Sequence, residues 1–167
     1  MKRLWAPWRM AYITGIDGPK DKGCIFCAKP NQQKDAANHI LLRGKKAFVM
    51  MNIFPYNNGH LMIAPYRHVG DLTKLGDAEL LEMMTLAQAC IRAIAAGMRP
   101  DGYNLGFNLG RTAGAGITGH VHLHLVPRWN GDTNFMPVLD GTKVISEALD
   151  ATYQKIGKCL KKIRSGE

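Results

Sequence analysis

Apolar positions recur along this chain with two different periods, and the changes of period mark out its elements. Strands are predicted over 39–43 and 46–52, with Gly44-Lys45 as a hairpin turn between them. Asn52-Ile-Phe-Pro-Tyr-Asn-Asn-Gly59 reads as a loop, and His60-Leu-Met-Ile-Ala64 as a third strand closed by Pro65. From 77 to 97 the spacing becomes helical, with Leu80, Met84, Ala87, Ile91 and Ile94 four, three, four and three residues apart. Asp77, Glu79 and Glu82 favour the start of that helix, and Gly97 and Pro100 end it. Strands follow over 102–109 and 119–126. A second amphipathic helix over 142–163 places Ile145, Leu149, Ile156, Leu160 and Ile163 on one stripe. Residues 1–35 read as an irregular segment broken by Gly15, Gly18, Pro19 and Pro30. Antiparallel strands with one central and one C-terminal helix predict an α+β domain.

The strand predicted over 119–126 contains His120-Val121-His122-Leu123-His124. Strand side chains alternate faces, so the three imidazoles line one face while Val121, Leu123 and Leu125 enter a core. Three histidines at spacing two point to a metal site or to a nucleophilic histidine held by its neighbours. The preceding Gly106–Gly119 stretch is glycine-rich, so its backbone N–H groups can approach an anion closely. Asn108, Arg111 and Thr112 add side-chain donors, and the loop beside the triad reads as a phosphate cradle.

Composition narrows the class. A chain of 167 residues with 46% hydrophobic content suits one compact domain, divided into the segment 1–35, the body 36–138 and the C-terminal helix 139–167. No apolar run long enough to span a bilayer is apparent, and Lys2-Arg3 are followed by Trp5-Ala6-Pro7-Trp8 rather than a signal sequence. Four cysteines without a regular framework predict reduced thiols and a cytoplasmic location. The net charge of +9 suits a polyanionic partner, although Lys143, Lys155, Lys158, Lys161, Lys162 and Arg164 read as a solvated helix end.

The run His120-Val-His-Leu-His-Leu-Val126 resembles the signature of the histidine triad (HIT) superfamily of nucleotide hydrolases and transferases. The longer run from Gly114 to Phe135, and Leu4-Trp-Ala-Pro-Trp-Arg-Met-Ala-Tyr-Ile13, resemble its dinucleoside polyphosphate-cleaving branch. The resemblance implies an antiparallel sheet of about five strands, a homodimer, and hydrolysis of diadenosine tetraphosphate or a similar dinucleotide. No acidic cluster suited to Mg²⁺ is apparent, so metal-independent chemistry is expected. It implies His122 as nucleophile on the α-phosphorus, held by the carbonyl of His120, with His124 at the leaving group. It places Asn52, Ile53, His60 and Asn108 among the nucleotide contacts, with Gly116, Ile117 and Thr118 in the cradle. Many relatives carry Gln and Ser or Thr before the triad where this chain has Gly116-Ile117-Thr118, which opens the choice of leaving group. Phosphorolysis, transfer to another acceptor and phosphoramidate hydrolysis are alternatives on the same machinery.

Cys24-Ile-Phe-Cys27 lacks the context of a redox motif and has half the ligands of a zinc site. The resemblance supplies His68 and His120 as the other two, for a structural zinc. Buried metal-free thiols are the simpler alternative, and His39 is a spare ligand that reads more simply as a strand-end polar residue. Cys90 and Cys159 lie on apolar helix faces. A basic nucleic-acid-binding module is the non-enzymatic alternative, and it predicts strong, salt-dependent binding of RNA or DNA.

Overall fold

The computed structural model describes residues 23–133, 145 and 147–165. The Leu4–Ile13 run and most of the segment 1–35 lie outside these residues. Five strands, β1 (Ile40–Arg43), β2 (Ala47–Met51), β3 (Leu61–Pro65), β4 (Gly102–Phe107) and β5 (Leu123–Arg128), form one sheet in the order β1-β2-β3-β5-β4. Every pairing is antiparallel. Three helices accompany it among the described residues: α1 (Ile25–Asn31), α2 (Asp77–Met98) and α3 (Leu149–Ser165).

Period two decides which strand residues meet which layer. Val49, Met51, Leu61, Ile63, Leu123 and Leu125 join Met83, Ala87, Cys90 and Ile94 of α2 and Ile156 and Leu160 of α3 in the larger core. Phe48, Met50, Met62 and Ala64 point the other way and pack with Phe26 of α1. Both faces of β2 and β3 are therefore buried, which explains their unbroken apolar sequence.

The β1–β2 connection is a tight turn stapled by α2. The Glu82 carboxylate accepts from the backbone N–H groups of Lys45, Lys46 and Ala47. Burial opposes ionisation of Glu82, yet these three donors hold its carboxyl below the usual range. A Cβ at Gly44 would lie 2.7 Å from Glu82 Cδ and 2.9 Å from Ala47 O, so this turn requires glycine.

Four expectations are corrected. The N-terminal segment is not wholly irregular: Cys24 O accepts from Cys27 N and Ala28 N and opens a seven-residue helix too short to show periodicity. The buried stripe of α2 runs through Met83 rather than Met84, which is 47% exposed, because the same four-three spacing fits two neighbouring phases. Ladder pairing of β5 starts at Leu123, where β3 supplies its Ile63 partner; the residues just before it lie outside the ladder, with a bend at His120 and Val121 N–H donating to Val69 O at 2.7 Å. Ile145 and Glu147 precede α3, which starts at Leu149, and Glu147 folds onto its first turn to accept from Thr152 and Lys155. In addition, α2 is long and apolar enough by length and composition to cross a membrane, though one of its faces forms the larger core.

Candidate active site

His124 on β5, and His120 and His122 just before it, lie on the side opposite the larger core, and all three are buried. His122 Nδ1 donates to His120 O at 2.8 Å, which fixes its tautomer and leaves the lone pair on Nε2. Nε2 has no partner among the described residues, and the ring lines a cleft. Burial pushes the His122 imidazole below its ordinary pKa, against the His120 carbonyl that favours the cation, so the ring is neutral at pH 7.

His124 is oriented through a chain of hydrogen bonds. Tyr56 N–H donates to His60 Nδ1 at 3.0 Å, so His60 carries its proton on Nε2. That proton goes to His124 Nδ1 at 2.9 Å, which places the His124 proton on Nε2, towards the cleft. Burial first, and neighbouring imidazoles second, push His60 down to about 3 and His124 to about 4. Tyr56 stacks on His124 at 5.5 Å between centroids, and Phe26 meets the His122 ring at 4.7 Å.

The cleft holds about 540 Å³. Its walls bring together His122, His124, Asn52, Ile53, Gly116 and Ile117 from the expected set, as well as Phe26, Lys29 and Tyr56. Ile53 is 45% exposed and so belongs to the cleft rather than to a core. Asn108 stands at the edge, its amide 3.4 Å from His124 Nε2. His60 is completely buried behind His124, so it acts through that ring and not as a direct ligand contact. Asn52 faces His60 Nδ1 at 3.3 Å with its amide nitrogen and accepts from Phe54 N–H, which fixes the loop and leaves its second N–H and second lone pair at the cleft wall. Thr118 is exposed and is not among the residues lining the cleft, and its carbonyl packs against Gly70, where an added Cβ would lie 2.6 Å away. The sequence reading missed Phe26, Lys29 and Tyr56. Only Phe26 had a signal, its place inside the Cys-x-x-Cys pair.

A second cluster backs the triad. Cys24 Sγ lies 3.2 Å and Cys27 Sγ 3.6 Å from His120 Nδ1, and Cys27 Sγ lies 3.3 Å from His68 Nδ1. One ligand atom from each of these four residues falls within 4.8 Å of the others. His120 Nε2 donates to Pro65 O at 2.8 Å, which leaves Nδ1 as the electron-pair donor facing the thiols. Tetrahedral zinc with two sulfurs and two nitrogens separates neighbouring ligand atoms by about 3.5 Å, so the donor set fits that ion. His39, the spare candidate, instead pairs with Asp150 at 2.8 Å, far from this cluster.

The HIT domain model matches residues 33–131. An AP-4-A phosphorylase of Mycobacterium tuberculosis is 40% identical over 159 residues, covering 91% of this chain and 80% of that protein. The adenosine 5'-monophosphoramidase HNT1 of Saccharomyces cerevisiae is 28% identical, covering 95% of this chain and 91% of that one. Among solved structures, a Zn-bound histidine triad family protein from Mycobacterium smegmatis superposes with a TM-score of 0.70 at 27% identity, covering 87% and 98% of the two chains.

Proposed function

The chain belongs to the HIT domain family, and we propose that it cleaves dinucleoside polyphosphates of the diadenosine tetraphosphate class through a nucleotidyl-His122 intermediate. The observation that carries this is the Nδ1–H bond of His122 to the His120 carbonyl, which frees Nε2 in the cleft. Nε2 attacks the α-phosphorus; the N–P bond forms as the P–O bond to the departing polyphosphate breaks. The ring becomes an imidazolium whose Nδ1 proton the His120 carbonyl stabilises. The His124 Nε2 proton bonds the bridging oxygen and steadies charge as it develops there. A polyphosphate leaves as an anion, so full proton transfer is not required. The second acceptor then breaks the N–P bond and restores neutral His122.

Sequence similarity to the AP-4-A phosphorylase favours inorganic phosphate as that acceptor over water. The test is product analysis with diadenosine tetraphosphate, with and without phosphate. ADP plus ATP formed only with phosphate means phosphorolysis, and AMP plus ATP means hydrolysis. No cleavage of any dinucleotide or phosphoramidate overturns the enzyme reading.

Cys24, Cys27, His68 and His120 are proposed to hold one structural zinc, since four protein ligands leave no open coordination position. The Zn-bound relative supports this assignment. A homodimer is also proposed, through α2 and the edge strand β4. Leu81 and Met84 on α2 and Leu105 on β4 are exposed, and Tyr103 OH donates to Ile91 O to tie the two elements together. The four free thiols support a reducing compartment such as the cytoplasm.

A further inference from the structure

Lys29 is the one cleft residue, among those described, that is charged at neutral pH and unused by the proposed reaction. Its position follows from how α1 crosses the sheet. Near the start of α1, Phe26 packs on His122, beside β5. Near its end, Lys29 O accepts from Asn38 at 3.3 Å and Pro30 O from Arg43 at 2.8 Å, both on the β1 side. The cleft floor runs the same way, from His122 and His124 over Met62 on β3 to Met50 and Met51 on β2. From β5 to β2 is two inter-strand steps, about 10 Å. That is the reach of a nucleotide from its α-phosphorus to the far edge of its base. Ile25, Met50, Met62 and Ile117 between the two ends offer the apolar surfaces that a planar base fills.

Lys29, which lines the cleft from the β1 side, has no anionic partner for its ammonium among the described residues. The nearby carboxylate Asp35 is engaged by Arg43 at 2.7 Å. Partial burial lowers the pKa of Lys29, with no anion to offset it. A half-desolvated donor at the end of an apolar slot calls for an acceptor on the ligand.

We propose that Lys29 reads the base of the transferred nucleotide by donating to a ring carbonyl, so that the site favours a 6-oxopurine over adenine. Guanine offers O6 and N7 as paired acceptors, whereas adenine turns its N6 amino donor towards the cation. This inference rests on the nucleotide reading given above.

The test uses the full-length, zinc-loaded protein. Affinities for GMP, IMP and AMP are measured by calorimetry, and rates with diguanosine and diadenosine tetraphosphate are compared for wild type, Lys29→Met and Lys29→Arg. GMP and IMP should bind about tenfold more tightly than AMP, ~1.4 kcal/mol. Lys29→Met should bring that ratio to about one, and Lys29→Arg should keep most of it. A ratio unaltered by Lys29→Met overturns the proposal, as does an equal loss for all three nucleotides, which marks a phosphate contact. A ratio that shifts as expected without turnover of any dinucleotide supports base reading while refuting the enzyme assignment.

Discussion

The carbonyl of His120 receives the Nδ1 proton of His122 at 2.8 Å, while the ring of His120 faces Cys24 at 3.2 Å. One residue thus joins the thiol cluster to the nucleophile through its own backbone. Its ring and its carbonyl serve separate ends, so metal ligation and orientation of His122 are compatible.

Replacing the nucleophile separates chemistry from binding. His122→Ala should lower kcat by about a thousandfold or more, ~4 kcal/mol of barrier, while nucleotide affinity changes little, because the apolar walls remain. Single-turnover rates and calorimetric binding check this. Activity within tenfold of wild type would exclude His122 as the nucleophile.

His60 should matter to turnover without touching substrate. His60→Leu removes the donor that fixes His124, so kcat should fall by about a hundredfold while KM stays nearly constant. Substrates with a better leaving group should recover most of the rate. An equal loss across leaving groups would show that His60 serves the fold alone.

These contacts also show how far sequence could lead. Alternation in His120–His124 gave the correct face for each imidazole, and the core partners Val121, Leu123 and Leu125. Both long helices were readable because each buries a stripe of helical period, and β2 and β3 because they are short unbroken apolar runs bounded by turn residues. The link from Tyr56 through His60 to His124 was not, since it joins residues up to 68 positions apart by single hydrogen bonds. Helix α1 escaped for a different reason: with seven residues it is shorter than two periods and a half of any helical pattern. Lys29 and Phe26 could therefore not be assigned to the cleft. The Cys24–Cys27 spacing was visible in the sequence, but His68 and His120 were joined to it only through family resemblance, because Cys27 and His68 lie 41 positions apart.

Acid should destabilise the fold through its buried imidazoles. Folded His60 is pushed from 6.5 to about 3, and His124 to about 4, mainly by burial. Between those values and 6.5 the unfolded chain binds protons that the folded chain does not. Stability is therefore fully present above pH 6.5 and is lost progressively as pH falls towards 4 and 3. Denaturant midpoints measured from pH 7.5 to 4.5 should fall with pH in both zinc-loaded and chelator-treated protein. A flat profile in both would show that these rings are protonated in the folded state.

Metal removal should cost stability before it costs chemistry. A zinc bound by Cys24, Cys27, His68 and His120 would tie α1 to the segment leading into β5 and to the residues following β3. Its loss leaves two thiols facing two imidazoles and loosens α1, which keeps the packing of Phe26 and the bonds from Asn38 to Lys29 O and from Arg43 to Pro30 O. Cys24→Ser or chelation should therefore lower Tm by several degrees, an effect of about 2 kcal/mol or more. Turnover by the protein that remains folded should stay within about tenfold of wild type, since the His120 carbonyl can still accept from His122. Elemental analysis of protein purified without added metal should give one zinc per chain. A content well below one, with full activity and an unchanged Tm after chelation, would leave Cys24 and Cys27 as plain thiols beside the triad.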